Sequence, residues 1–361
     1  MHPSHPAPTR QLLEFQADRI ESVLASHRVP VRVDGGAVTP RWIRFNLVPG
    51  LGARITRVQD LSEELALALG AEDVRVERRG DHLSLEVARL DAEPISLLPL
   101  LESLPGLPRL TAVLGVADDG RPLLIRISSP DVAHILVAGA TGSGKTELMR
   151  AILLSLALTN RQSRLQMALI DPKARSFVPL SDLPHLIGET AVTPPAVVEL
   201  LRRLVAEMER RDAMGISTPH IVIAVDELLD LFSTTIGAKV AAPLLTRIAA
   251  RGREAGLHLL VGVQRPGAQD IGPLLKANFP VRLVGRVSSP EDARVAAGVA
   301  GSKAEKLAGR GDFLAVACGE ITHFQAAYVP VYEWPRVKQA LSNHRKPGQI
   351  MTSSLPKGAA P

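Results

Sequence analysis

Short apolar runs alternate with longer segments of helical spacing over the second half of the chain. Four runs have the length of buried strands and are bounded by turn or polar residues: LQMALID, HIVIAVDE, LHLLVGVQ and VRLVGRV. The segments between them repeat apolar residues every three or four positions, which is typical of amphipathic helices. Strands that alternate with helices predict an α/β domain with a mostly parallel sheet and helices on both faces.

The first third of the chain has a different pattern. WIRFNLV, VRVER and LSLEVA have the alternation of strands, and LSEELALALG predicts a short helix that ends at Gly70. The last residues are rich in Pro, Gly, Ser and Lys, which favours disorder. We therefore divide the chain into a helical arm or linker at 1–30, a small α+β domain at 31–110, the α/β domain at 111–340 and a disordered tail at 341–361.

A run of small residues lies between one predicted strand and the helix that follows it. This run is Gly139-Ala140-Thr141-Gly142-Ser143-Gly144-Lys145-Thr146, and it matches the P-loop pattern G-x-x-x-x-G-K-[ST]. Glycines let backbone N–H groups surround a phosphate chain, and the helix N-terminus adds partial positive charge. We expect all eight residues to bind ATP, Lys145 to contact its β- and γ-phosphates, and the Thr146 hydroxyl to bind Mg²⁺.

A second predicted strand ends in two carboxylates, Asp226 and Glu227. The carboxyl ends of parallel strands meet at one edge of a sheet, so both side chains should lie beside the phosphate loop. Asp226 is then a candidate ligand of Mg²⁺, and Glu227 would polarise the water that attacks the γ-phosphate. The alternative is a strand that ends in a solvated acidic turn, but the P-loop upstream favours ATP hydrolysis.

Polar residues near the next strand extend this constellation. Gln264 ends that strand, where its amide would sense the γ-phosphate or the attacking water, unless it only caps the strand. Arg247, Arg251 and Arg253 precede the strand. They are candidates for an arginine finger that reaches a neighbouring subunit, although a basic helix face is also commonly just solvated.

Asp171 and Lys173 follow another strand in the sequence ALIDPKARSF. Their position at the carboxyl edge would let them contact the nucleotide site or couple it to a moving loop. A simple Asp-Pro turn explains the same residues. The sequence leaves both interpretations open.

The composition fits a globular protein, because 46% of the 361 residues are hydrophobic and 22% are charged. The net charge of +5 is compatible with a polyanionic partner but does not require one. The single cysteine, Cys318, excludes an internal disulfide framework, and we expect it to be buried. We find neither a signal sequence nor an apolar run of about 18 residues, so we expect a cytoplasmic protein without a membrane span.

Several segments resemble, in order and spacing, the motor domain of the FtsK/SpoIIIE family of double-stranded DNA translocases. They include GATGSGKT, LIDPKA, IVIAVDELLDL, RGREAGLHLLVGVQRP and LAGRGDFLAV. The upstream segment GGAVTPRWIRFNLVPGLGARITRVQDLSEELALALGAEDVRVE resembles, more loosely, the small domain on one side of the family's motor ring.

This resemblance implies a RecA-like ATPase that forms a hexameric ring around duplex DNA. It also implies that Lys145 and Thr146 are the Walker A pair, Asp226 and Glu227 the Walker B pair, and Gln264 the glutamine of the following strand. Arg253 becomes the first choice for the residue that acts on a neighbouring subunit. Sequence-independent DNA contacts are implied for Lys239 and Lys276, with Arg282 nearby.

The sequence also departs from the family pattern. No membrane-spanning segments precede the motor, and nothing after about residue 340 resembles the family's winged-helix domain. We therefore expect no guidance by that domain, and any recruiting protein is unknown. Two other functions stay open, which are a related ring ATPase that moves a protein substrate and an ATP-dependent assembly module.

Overall fold

The computed structural model describes residues 9–39, 42–79, 82–89, 94–232, 237–264 and 278–343. The chain divides into two compact units, each with its own hydrophobic core. The first unit includes the chain up to residue 94 together with 118–121, and the second comprises 95–117 and the chain from 122 onward.

Over its described residues, the first unit is an antiparallel sheet with three helices. Its helices are α1 (Arg10–Ser26), α2 (Ile55–Asp60) and α3 (Ser62–Leu69). Its strands are β1 (Val31–Val38), β2 (Trp42–Pro49), β3 (Val74–Arg79) and β4 (His82–Ala88), in the order β1-β2-β4-β3. Helix α3 ends at Gly70, whose φ of 63° is the left-handed conformation that glycine adopts easily, as the sequence predicted.

The second unit contains the remaining described elements. Its strands are β5 (Ile95–Ser96), β6 (Thr111–Ala117), β7 (Pro122–Arg126), β8 (Ile135–Ala138), β9 (Leu165–Ile170), β10 (His220–Val225), β11 (Leu257–Val263), β12 (Val281–Gly285), β13 (Asp312–Ala317) and β14 (Glu320–Tyr328). Its helices are α4 (Leu97–Glu102), α5 (Lys145–Thr159), α6 (Pro194–Met214), α7 (Leu228–Phe232), α8 (Ala242–Arg251), α9 (Pro290–Ala297) and α10 (Trp334–Asn343).

The domain boundaries differ from those expected at residues 30 and 110. Helix α1 buries Ile20 and Leu24 in the same core as Phe45, so it belongs to the first unit and is not a separate arm. Leu97 and Leu98 of α4 pack into the core of the second unit, which moves the boundary to residue 94. Burial of these apolar side chains is the physical reason for both corrections. The predicted disordered tail began at 341, but α10 continues to Asn343 and buries Leu341 in the core of the second unit, so this boundary is corrected as well. The chain from 344 onward lies outside the described residues.

The large sheet has parallel strands on one side and antiparallel strands on the other. In the part of the chain that is described, it has ten strands in the order β7-β6-β14-β13-β12-β8-β11-β10-β9, with β5 beside β14. The five strands from β12 to β9 are parallel, which confirms the predicted α/β core. The antiparallel strands are an extension that the pattern did not predict.

A two-residue turn joins β13 to β14. Cys318 and Gly319 both have positive φ, at 51° and 81°, as in the tight turns that fit twisted hairpins. This turn exposes Cys318, so the prediction that it is buried was wrong.

Alternate residues of the central strands face opposite layers of helices. Ile135 and Val137 of β8 pack in the cluster that contains α5, whereas Leu136 packs in the cluster that contains α6 and α8. This alternation confirms that helices cover both faces of the sheet. The parallel pairing of these strands places their carboxyl ends at one edge of the second unit.

Three histidines lie at the opposite edge, at the amino-terminal ends of β8, β10 and β11. The Nδ1 of His134 accepts the N–H of Leu259 at 2.9 Å, and its Nε2 is 3.0 Å from the carbonyl oxygen of Ala249. His258 Nε2 lies 2.9 Å from His220 Nδ1. Burial lowers the pKa of His134 and of His258 to about 4, and it also lowers the pKa of His220. All three rings are therefore neutral near pH 7.

This cluster predicts a loss of stability in mild acid. Between pH 6.5 and pH 4 the unfolded chain binds more protons at these histidines than the folded chain, so the free energy of unfolding should fall as pH falls. The upper bound is about 3 kcal/mol for each of the two most shifted histidines. Urea unfolding between pH 7.5 and pH 5 measures the effect.

His134→Gln is the informative variant, because an amide keeps both a donor and an acceptor but does not titrate. The free energy of unfolding of this variant should depend less on pH than that of the wild type. Substitution of an exposed histidine, His27→Gln, should leave the wild-type pH dependence unchanged. A wild-type stability that stays constant from pH 7.5 to pH 5 would contradict the assignment.

Candidate active site

The P-loop is held at its first residues by the ends of two strands. The N–H of Gly139 donates to the carbonyl of Val263 at 3.0 Å, and the N–H of Ala140 donates to that of Arg286 at 2.8 Å. The loop ends at Gly144, whose φ is 97°, and α5 begins at the next residue. The loop after β8 is therefore anchored to the two strands that flank β8 in the sheet.

A second segment supports the loop from residues far along the chain. The N–H groups of Arg310 and Gly311 donate to the carbonyls of Gly142 and Ser143, at 2.9 and 2.8 Å. A Cβ atom at Gly144 would lie 2.8 Å from the Gly311 nitrogen, so only glycine fits there. Residues 309–311 all have positive φ, which glycine adopts easily at 309 and 311 but which is strained at Arg310. The sequence pattern gave no indication of this role.

Several donors of the loop lack an acceptor in the part of the chain that the structure describes. Among the described residues, the backbone N–H groups of Gly142, Gly144, Lys145 and Thr146 have no backbone partner. The buried hydroxyl of Ser143 also has no hydrogen-bond partner there. N–H groups at the start of a helix, together with the partial positive charge of the helix N-terminus, form a site for an anion such as a phosphate chain.

Lys145 contacts both predicted acidic residues. Its Nζ donates to the backbone carbonyl of Asp226 at 2.5 Å and to the Oδ1 atom of that residue at 3.3 Å, and it lies 3.7 Å from Glu227 Oε2. The Thr146 hydroxyl donates to the same Oδ1 atom at 3.2 Å. All three charged side chains are 5% exposed or less. The structure thus brings together the four residues that the sequence placed at this edge.

The two oxygens of the Glu227 carboxylate have different surroundings. Its Oε1 accepts the N–H of Gln264 at 3.2 Å, whereas its Oε2 has no hydrogen-bond partner among the described residues. Burial raises the pKa of Glu227, and the positive charge of Lys145 opposes that rise. Gln264 therefore lies beside Glu227, but its main chain makes the contact, so the expected role of its side-chain amide stays a prediction.

Ser176 is a site residue that the sequence pattern did not reveal. Its hydroxyl is buried and donates to Asp226 Oδ2 at 2.8 Å, so both carboxylate oxygens of Asp226 are oriented by protein donors. No motif signals this serine, because it lies 50 residues before its partner in the chain. Only the parallel pairing of β9 with β10 makes the two residues neighbours.

Asp171 organises the loop that carries Ser176. One oxygen of its carboxylate, Oδ2, accepts the N–H groups of Arg175, Ser176 and Phe177 at 2.7–3.1 Å. Of the two interpretations left open, the geometry therefore favours a turn, but a turn that positions a site residue. Lys173 pairs with Asp230 of α7 at 2.6 Å, which connects the loop to the helix that follows the two acidic residues.

The three candidate arginine fingers have different surroundings. Arg247 pairs with Glu209, and Arg251 pairs with Asp212 at 2.8 Å, so both bind α6 of their own subunit. Arg253 is exposed, and its side chain has no hydrogen bond or ion pair within the described part of the chain. It borders a cavity of about 550 Å³ at the amino-terminal end of β11, the sheet edge opposite the P-loop. Arg253 therefore cannot reach the nucleotide site of its own subunit.

The three candidate DNA contacts also differ. Lys239 is exposed in the π-helical turn Gly237–Ala241, and Lys276 lies outside the described residues. Arg282 is buried on β12, where it donates to the carbonyls of Phe279 and of residues 295 and 296. The expectation that Arg282 lies with the DNA contacts is therefore corrected, because its guanidinium is used inside the fold.

Comparison with known families matches both units. Residues 107–217 match the sequence model of the FtsK/SpoIIIE family, and residues 2–86 match that of the FtsK alpha domain. In the described ranges, no helix has the length and apolar character needed to cross a membrane.

Curated relatives extend this similarity over most of the chain. The chain is 31% identical over 352 residues to DNA translocase FtsK of Sporosarcina ureae, an alignment that covers 88% of this chain and 44% of the relative. It is 29% identical over 390 residues to DNA translocase SpoIIIE of Bacillus subtilis, which covers 99% of this chain and 48% of the relative. The chain therefore spans less than half the length of these relatives.

Solved structures show the same fold. The pCW3 conjugation coupling protein TcpA superposes with a TM-score of 0.63 at 19% identity, covering 92% of this chain and all of that one. The type VII secretion ATPase EccC of Thermomonospora curvata gives a TM-score of 0.63 at 27% identity, covering 73% of this chain and 36% of that one. The chain has a P-loop and two carboxylates at a strand end, and it matches the sequence models of both domains. It therefore belongs to the FtsK/SpoIIIE family.

Proposed function

We propose that this protein hydrolyses ATP and uses the energy to move double-stranded DNA, as one subunit of a hexameric ring in the cytoplasm. The observation that carries the proposal is the buried contact of Lys145 with Asp226 and Glu227 beside unpartnered N–H groups of the P-loop. A phosphate-binding loop without catalysis would not need a second buried carboxylate, Glu227, beside Lys145.

Each protein group has a distinct role in this proposal. The P-loop N–H groups and Lys145 bind and orient the phosphates. Glu227 accepts a proton from the attacking water, and its raised pKa brings this base closer to the operating pH. Gln264, held against Glu227 by its main chain, responds to the γ-phosphate. Arg253 acts on the nucleotide of a neighbouring subunit.

The oxygen atoms of two site residues are suitable ligands for Mg²⁺. Thr146 Oγ1 and Asp226 Oδ1 are 3.2 Å apart, and hydroxyl and carboxylate oxygens are the ligands that Mg²⁺ prefers. When bound, the ion would neutralise part of the charge on the phosphates. The residues that would hold it are Thr146 and Asp226, with Ser176 orienting the carboxylate.

The names of the relatives support DNA as the substrate. Proteins named DNA translocases match 86–99% of this chain, and the +5 net charge is compatible with a polyanion. Lys239 and Lys276 stay the candidate contacts to its phosphates. A protein substrate is the second candidate, favoured by the similarity to the secretion ATPase EccC.

The ATPase rate with and without long linear duplex DNA separates these candidates. We expect DNA to stimulate turnover several-fold at low salt and less as salt rises, because phosphate contacts release counterions. Glu227→Gln, which keeps the shape of the side chain but cannot act as a base, should bind ATP without turnover and serves as the blank. A substantial basal rate that DNA leaves unchanged would favour a protein substrate.

The role of Ser176 predicts a selective loss of metal affinity. Ser176→Ala should weaken binding of Mn²⁺, used as a probe for Mg²⁺, to the complex with a non-hydrolysable ATP analogue by about tenfold, because partners that orient metal ligands have effects of this size. Titration followed by electron paramagnetic resonance measures it. Ser176→Thr should restore affinity, and the exposed Ser181→Ala is the matched control. Equal Mn²⁺ affinity in the Ala variant and the wild type would remove Ser176 from the site.

Action of Arg253 on a neighbour predicts a non-proportional loss in mixed rings. When Arg253→Ala is mixed with wild type at constant total protein, DNA-stimulated activity should fall below the line expected from dilution, since one variant subunit disables the site next to it. Arg251→Ala is the control, because Arg251 binds Asp212 in its own subunit. Loss in strict proportion to the Arg253→Ala fraction would show that Arg253 does not act between subunits.

A further inference from the structure

A concave surface of the first unit is lined by three arginines. The cavity has a volume of about 590 Å³, and Arg28, Arg54 and Arg57 border it together with Thr56. Asp60 is the one acidic residue among the residues that line it. We call the three arginines and the cavity between them the arginine pocket.

Two segments of the fold bring these arginines together. The chain turns sharply after α1, and the loop after β2 packs against this turn, since the N–H of Gly50 donates to the carbonyl of Pro30 at 2.8 Å. Gly52 has a φ of 86°, and its turn leads directly into α2, which carries Arg57. The pocket is therefore a consequence of the tertiary structure.

Arg28 occupies a position that favours glycine. Its φ is 60°, and hydrogen bonds from Arg28 to Ala25 and from Val29 to Leu24 close the end of α1 in the way that usually requires a glycine. A residue with a side chain is strained there. The local structure gives no reason for an arginine at this position. Its presence indicates that the guanidinium group has a function elsewhere, such as binding a ligand.

The three guanidinium groups have no partner within the described residues. None makes a side-chain hydrogen bond or ion pair there, although all three are exposed and close to one another. Other arginines of the same unit do pair, for example Arg10 with Glu14 and Arg32 with Asp34. The unit as a whole has more acidic residues than arginines and no lysine, so the pocket is a local positive region on an acidic domain.

This chemistry suits phosphate groups. Guanidinium groups bind phosphate oxygens in pairs of parallel hydrogen bonds, and a hydroxyl donor adds to such a site. A cavity of about 590 Å³ is much larger than one phosphate ion, and three separate guanidinium groups match a polymer with regularly spaced phosphates. Given the DNA substrate of the proposed function, on which this step rests, we propose that the arginine pocket binds backbone phosphates of duplex DNA, as a contact separate from the loops of the second unit.

Charge-matched variants of the full chain test the proposal. The pocket variant combines Arg28→Gln, Arg54→Gln and Arg57→Gln, and the control combines Arg10→Gln, Arg32→Gln and Arg121→Gln, whose arginines are exposed and pair with neighbouring acids. Both variants lose three positive charges. Duplex DNA affinity, with a non-hydrolysable ATP analogue present, is measured between 50 and about 200 mM salt, the range over which phosphate contacts change affinity most clearly.

We expect the pocket variant to bind DNA at least tenfold more weakly than the wild type at low salt. The slope of log affinity against log salt should also be smaller by about 2–3, because each lost phosphate contact reduces it by about 0.9. The control should keep the wild-type slope, and both variants should keep the basal ATPase rate. Equal salt-dependence slopes for the two variants would overturn the proposal that the arginine pocket binds DNA, while leaving the proposed function intact.

Two further outcomes would point to a different ligand or a different function. Inorganic phosphate could raise the melting temperature of the wild type and the control variant but not that of the pocket variant. If the salt dependence of DNA affinity is then equal in the two variants, the pocket is a site for free phosphate and the proposed DNA contact is wrong. If the wild type neither binds DNA nor responds to it in the ATPase assay, the proposed function fails, and the DNA contact fails with it.

Discussion

The contact between Lys145 and Asp226 is the interaction on which the rest of the site depends. Lys145 begins α5 after β8, Asp226 follows β10, and β11 lies between these two strands in the sheet. The ammonium group must therefore cross the end of β11, and it does so over Gly262. A Cβ atom at Gly262 would lie 2.8 Å from Lys145 Nζ and 2.0 Å from the Asp226 carbonyl oxygen. The absence of a side chain at one strand position makes the contact possible.

The charge balance at this contact explains the properties of its acidic residues. Two carboxylates face one ammonium group, and all three side chains are almost completely buried. Desolvation disfavours an isolated charge, which is why the pKa of Glu227 is raised even though Lys145 opposes the rise. Asp226 differs because Lys145, Thr146 and Ser176 all donate to its carboxylate. Two adjacent acids thus have different environments, which suits one to hold a metal ion and the other to accept a proton.

Much of the support for the site comes from distant parts of the chain. The P-loop carbonyls are held by Arg310 and Gly311, and the Asp226 carboxylate is held by Ser176. The backbone hydrogen bond from Ala326 to Gly311 and the three hydrogen bonds accepted by Asp171 hold these supporting segments in place. These supporting contacts restrict the geometry of the P-loop and of Asp226, because each is oriented by a partner that is itself held in place.

The sequence by itself determined the central strands of the large sheet and the motif residues that carry the chemistry. Apolar runs with turn residues at their ends specify the central strands, and the spacing of Gly144, Lys145 and Thr146 specifies a phosphate loop, since both patterns are local. Tertiary structure alone decided what those groups contact. Arg282 is basic in the sequence but buried in the fold, and Ser176 belongs to no motif in the sequence but is bonded to Asp226. Only the order and pairing of the strands, which depends on contacts between residues far apart in the chain, determines which side chains meet.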